Sequence, residues 1–225
     1  MTTPMRPRFA SVVFDADSTL ASIEGIDWLS TLRSPGIALV IRDLTSRAMS
    51  GELSLESIYA LRLEAIKPTQ HEIALLADAY VAAIEPGAMQ LVNELHQAGV
   101  NVAIVSGGLR DALLPLAKAL GVSADELHAV ELLFDDQGNY SALADNQPLS
   151  QQNGKPVVVR SLKLPRKSVM IGDGSTDAAV RGETDEFIAY TRVARRELVV
   201  ASADAEARDF DALSTLLFES DSQAS

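Results

Sequence analysis

Cysteine is absent from all 225 residues. This excludes disulfides and thiolate metal sites and leaves the redox compartment open. No apolar run approaches the roughly 18 residues of a membrane span, and the opening MTTPMRPRFA has no apolar signal-peptide region. Positive charge is scarce: 19 Lys and Arg stand against 31 Asp and Glu, for a net charge of −12. Nucleic acid and anionic membranes are therefore poor partners, and any cation beside a candidate anion site is informative. There is no G-x-x-x-x-G-K-[ST], so a nucleotide P-loop is excluded. A soluble, cytoplasmic protein is expected, and the composition does not decide whether it forms a homodimer.

The apolar residues, 47% of the chain, are concentrated in informative places. Three continuous apolar runs, 9–14, 100–105 and 168–171, read as buried parallel strands. Each ends in small or polar residues: DADST, SGG and GDGSTD. Helical patterns lie between the second and third, and EFIAY (186–190) reads as a further strand. The alternation predicts an α/β fold, a Rossmann-like core with a mostly parallel sheet flanked by helices. Ligands of such sheets bind beyond the carboxyl ends of the strands, where the three clusters would gather.

Residues 21–84 interrupt this pattern. Four helical stretches follow one another there, and Thr69 to Glu72 has capping-box spacing just after Pro68. The expected organisation is a core of 1–20 and 85–225 with a helical cap, 21–84, inserted after the first strand as a lid. Residues 134–144 read as a hairpin turning at Gly138 and Asn139.

Asp15, at the end of a central strand, can act as a nucleophile toward phosphorus. Asp173 and Asp177 bring further hard oxygen donors, which suit Mg²⁺. Ser106 with Gly107 and Gly108 offers a hydroxyl and bare N–H groups to an anion, and Lys155 offers a positive charge. Each cluster alone also fits an ordinary turn, cap or surface charge. Together, and in this order, they supply what phosphoryl transfer requires: positioning and charge neutralisation.

D-x-D-S-T, a strand ending in S-G-G, a downstream lysine and G-D-G-x-x-D resemble the four motifs of the haloacid dehalogenase-like hydrolases. The continuation Glu24-Gly25-Ile26-Asp27 and the segment AMSGELSLESIYALRLEAIKPT are similar to the phosphoserine phosphatase family. The resemblance spans 9 to about 190 and implies hydrolysis of O-phospho-L-serine through an aspartyl-phosphate. It implies Asp15 as nucleophile and Asp17 as general acid, later base. It implies Mg²⁺ on Asp15, the backbone carbonyl of Asp17, and Asp173, with Asp177 supporting. Ser106, Gly107, Gly108 and Lys155 would hold phosphate, Glu24 the ammonium and Arg62 the carboxylate, with Met49, Ser50 and Thr176 lining the pocket. The helical stripe Leu55, Tyr59, Arg62, Ile66 agrees, since a cation there needs an anionic partner. Leu109, Leu55 and Ser175 depart from common family residues, and Arg195 aligns with a family arginine only across a gap.

Two other functions compete. The same chemistry could act on another small phosphomonoester, such as phosphothreonine or phosphohomoserine. A receiver-like phosphoacceptor module also combines acids, Ser or Thr, Lys and Mg²⁺, but would lack a long helical insert.

Overall fold

The first apolar run forms β1 (Ser11–Phe14), buried along its whole length. The computed structural model describes residues 6–49, 52–53 and 55–219, with Met49 and residues 55–57 described through their backbone alone. After β1 come α1 (Gly25–Ser30), α2 (Pro35–Met49), α3 (Leu55–Ile66) and α4 (Gln70–Ala82), with no strand among the described residues. Next are α5 (Ala88–Gln97), β2 (Asn101–Leu109), α6 (Arg110–Ala119), β3 (Leu127–Val130) and a hairpin, β4 (Leu132–Phe134) and β5 (Tyr140–Leu143). The chain closes with α7 (Gly154–Leu162), β6 (Ser168–Gly172), α8 (Ser175–Ala178), β7 (Glu186–Tyr190), α9 (Glu197–Ser202), β8 (Ala205–Ala207) and α10 (Phe210–Leu217). No described helix is long and apolar enough to cross a membrane.

The main sheet has six strands in the order β3-β2-β1-β6-β7-β8, and every pairing is parallel. Parallel strands covered by helices on both faces are buried on both sides, which is why their sequences run apolar without alternation. Phe14 is level with Ile104 of β2 and Ile171 of β6. The residues just beyond, Asp15, Ser106 and Asp173, therefore emerge along one edge. Strand order reverses between β1 and β6, which makes this edge the topological switch point where such sheets bind ligands.

The structure differs from the sequence expectation in several places. β2 does not end at Val105: it continues through Ser106, Gly107 and Gly108 to Leu109, with a register shift against β3. The S-G-G segment is thus an irregular strand extension rather than a loop at a helix N-terminus. The hairpin starts two residues earlier than expected. Gly138, at φ +79°, makes its bend, while the Asp135 carboxylate accepts from the N–H groups of Gln137 and Asn139.

Helices α1–α4 join the core through two adjacent crossings. The Ser22 N–H donates to the Ala83 carbonyl and the Glu85 N–H to that of Leu20, each at 2.9 Å. The expected capping box is present: Glu72 N–H donates to Thr69 Oγ1 at 3.2 Å, and Thr69 N–H donates to Glu72 Oε2 at 2.8 Å. It directs α4 back toward the core, where it packs on α6.

Candidate active site

Asp15 follows β1, Asp173 follows β6, and Asp177 lies in α8, all three buried. Carboxylate oxygens of these residues lie within 4.8 Å of one another. Lys155, in the first turn of α7, places Nζ 2.9 Å from Asp15 Oδ2 and 2.6 Å from Asp177 Oδ1. Burial alone would favour loss of its proton, but the charges of Asp15 and Asp177 outweigh burial and hold the ammonium protonated.

Burial raises Asp173 to a pKa of about 6, with Asp15 adding repulsion and Arg196 opposing the rise. Burial raises Asp177 to about 7, again with repulsion from Asp15 and relief from Lys155. These shifts show that burial and mutual repulsion outweigh the relief from Lys155 and Arg196. Clustered hard oxygen donors that are only partly neutralised are a fitting seat for a divalent cation.

The carboxylate of Asp17 stands apart from this group. Its Oδ1 accepts hydrogen bonds from Tyr80 Oη at 2.5 Å and from the Gly25 N–H at 2.8 Å. A Cβ on Gly25 would lie 2.1 Å from the Tyr80 hydroxyl, so glycine is required for this approach. Burial, then repulsion from Asp15, pushes Asp17 up to about 6, while the two donors pull the other way. An aspartate poised there can carry a proton at neutral pH and also give it up.

Ser106 is fully buried, and its Oγ accepts from the Gly108 N–H at 3.0 Å, which leaves the hydroxyl proton free to donate elsewhere. Gly107, Lys155, Asp15, Asp17 and Thr176 border one cavity, and Glu24 and Arg62 border it too. Glu24 accepts from Ser18 Oγ at 2.7 Å, and burial followed by repulsion from Asp17 and Asp173 raises its pKa well above the usual range. Arg62 is 4% exposed and donates through Nη1 to Thr45 Oγ1 at 2.6 Å. Its Nε is buried without a partner among the described residues. A buried donor left unpaired is costly, so it marks a place for an anion. Of the remaining expected pocket residues, Ser50 lies outside the described residues and the Met49 side chain is not described.

Three contributors escaped the sequence reading. The arginine at the site is Arg196, not its neighbour Arg195. Arg196 contacts the Asp173 carboxylate and stands 4.0 Å from Glu24. Arg195 turns outward to Glu197 and Glu206. Tyr80 lies in α4 and Tyr59 on the stripe of α3, and each hydroxyl reaches the site. The polar tip of a core-facing tyrosine has no periodicity of its own, so helical spacing alone could not single it out.

The family model for haloacid dehalogenase-like hydrolases matches residues 12–180. The chain belongs to this family. Within it the phosphoserine phosphatases are shown as relatives. The chloroplastic phosphoserine phosphatase of Arabidopsis thaliana is 36% identical over 86% of this chain and 67% of its own length. That of Mus musculus is 32% identical over 89% of each. A crystal structure of a phosphoserine phosphohydrolase-like protein from Francisella tularensis superposes with a TM-score of 0.85 at 27% identity, covering 92% of this chain and 98% of that one. Family, fold and site agree on a phosphatase.

Proposed function

We propose that this enzyme hydrolyses O-phospho-L-serine to L-serine and phosphate. One observation carries the reading. The acids suited to phosphoryl transfer, Asp15 and Asp17, share one cavity with a carboxylate and a guanidinium, Glu24 and Arg62, suited to the two charges of an amino acid. The relatedness to phosphoserine phosphatases supports it.

In this reading a carboxylate oxygen of Asp15 attacks phosphorus, and the bond from phosphorus to the seryl oxygen breaks in line with it. Asp17 gives its proton to the departing seryl oxygen, which leaves as the serine hydroxyl. Asp17, now ionised, takes a proton from water as the water oxygen attacks the phosphorus of the Asp15 acyl phosphate. The acyl phosphate then breaks, releasing phosphate and restoring Asp15. Lys155 and the Ser106 hydroxyl would hold the non-bridging phosphate oxygens. Asp15, the backbone carbonyl of Asp17, and Asp173, supported by Asp177, would hold Mg²⁺, whose charge neutralises those oxygens when bound. Arg62 would take the substrate carboxylate on its unpaired Nε side, and Glu24 the ammonium. Residues 21–84 would serve as the lid that excludes bulk water, swinging at the paired crossings near Leu20 and Glu85.

The test is a phosphate-release screen over small phosphomonoesters, with and without Mg²⁺. O-phospho-L-serine should give the highest kcat/KM, and only with the ion present. A sugar phosphate or aryl phosphate turned over equally well would overturn the amino-acid reading.

A further inference from the structure

Among the described residues, Tyr59 touches both ends of the proposed substrate site. It projects from α3 and is 2% exposed. Its hydroxyl donates to the Gly107 carbonyl at 2.7 Å, crossing from the helical insert to the S-G-G segment of β2. The guanidinium carbon of Arg62, one turn along the same helix, lies 5.6 Å from the centroid of the Tyr59 ring. Both residues border the cavity that contains Asp15 and Lys155.

The far side of Arg62 is fixed as well. Thr45 Oγ1 accepts from Arg62 Nη1 and in turn donates to Asp27 Oδ1 at 2.5 Å. The guanidinium is thus held between an aromatic face and a hydroxyl that is itself anchored. Tyrosine has few rotatable bonds and a stiff ring. With its tip fastened to Gly107 and its face against Arg62, it cannot lengthen or shorten the gap between them.

From this geometry we infer that Tyr59 is a ruler: it sets the distance between the phosphate-holding segment of the core and the carboxylate-reading arginine, and so selects substrates by length. The inference rests on the amino-acid phosphate reading given above. Tyr59 is a positioning residue, acting through Gly107 and Arg62. A substrate with one more methylene between phosphate and α-carbon would overrun the fixed gap.

Tyr59→Phe tests this, because it keeps the ring and removes only the anchor. Steady-state kinetics on O-phospho-L-serine, O-phospho-L-homoserine and an aryl phosphate are compared for the wild type and the variant. Loss of the anchor should raise KM for phosphoserine by about tenfold, with a smaller change in kcat. The kcat/KM ratio of phosphohomoserine to phosphoserine should rise by a similar factor. Hydrogen exchange over α3 should quicken in the variant, which reads the same anchor without substrate. An active wild type whose length preference and KM are unchanged in the variant overturns the ruler alone. So does an equal loss on all three substrates, since that is what a merely structural residue would give. A wild type that releases no phosphate from phosphoserine overturns the substrate reading and the ruler with it.

Discussion

Tyr80, near the end of α4, donates a 2.5 Å hydrogen bond to Asp17, two residues beyond Asp15, the proposed nucleophile that follows β1. The helical insert thereby touches the group proposed to carry the proton. Asp17 is raised to about 6 by burial and by repulsion from Asp15, and the Tyr80 bond favours its ionised form. As proton donor it is competent below its pKa and loses competence as pH rises through it. Tyr80→Phe removes a bond that favours the carboxylate, so the pKa should rise further. The alkaline fall of the phosphorylation step should then move up by about one pH unit, read by single-turnover kinetics. A downward move would contradict this account.

Arg62→Ala removes the buried cation proposed to face the substrate carboxylate. Loss of such a partner costs about 2–5 kcal/mol, which predicts a rise in KM for phosphoserine of about 30-fold or more. The rate on an aryl phosphate, which offers no carboxylate, should fall by a much smaller factor. Parallel losses on both substrates would show that Arg62 serves the fold and not recognition.

Lys155 is the cation between Asp15 and Asp177. Replacing it by Met leaves buried carboxylates facing each other, a change that typically costs about 3–5 kcal/mol. The sign with pH follows from Lys155 lowering both Asp177, at about 7, and Asp173, at about 6, so that its removal pushes both higher. The deficit should therefore grow as pH rises through and beyond those values, where the wild type holds charged acids that the variant holds poorly; at low pH, protonation relieves the repulsion. Urea denaturation of metal-free protein at pH 8 and pH 5 checks this, with the larger deficit expected at pH 8.

Glu72 serves twice, in the capping box and in a paired contact with Arg33 at 2.7 Å. The Arg33 bond, outweighing partial burial, holds its carboxyl down at about 2. A depressed folded-state pKa gives stability that is complete above the unfolded value near 4.5 and drains away as pH falls toward 2. Glu72→Ala should cost about 1–2 kcal/mol at neutral pH. Glu72→Gln should flatten the acid dependence of Tm across that window. An unchanged acid limb in the Gln variant would rule out this pair as its source.

What could be read from sequence and what could not divides along physical lines. β1, β2 and β6 announce themselves because strands buried on both faces must be continuously apolar, and each ends in polar residues the core could not absorb. That pattern alone sets Asp15, Ser106 and Asp173 on one edge of the sheet. β3, with Leu127 and Val130 buried around the half-buried His128 and Ala129, and the three-residue β8 carry too few residues for a period to show. Arg196 sits in the irregular stretch between β7 and α9, where a shift of one residue decides whether a guanidinium meets Asp173 or solvent. Tyr59 and Tyr80 fall on buried helical stripes, and only the fold shows what their hydroxyls meet.

The central claim is that Asp15 becomes covalently phosphorylated by an amino-acid phosphate. Rapid quenching of the Mg²⁺-supplied enzyme with O-phospho-L-serine, followed by mass spectrometry, tests it most directly. The account predicts one phosphoryl group on the peptide carrying Asp15, formed and lost at rates that match turnover and absent in Asp15→Asn, whose phosphate release should fall by more than about a thousandfold. Turnover with Asp15 unmodified, or a phosphoryl group on another residue, would contradict it.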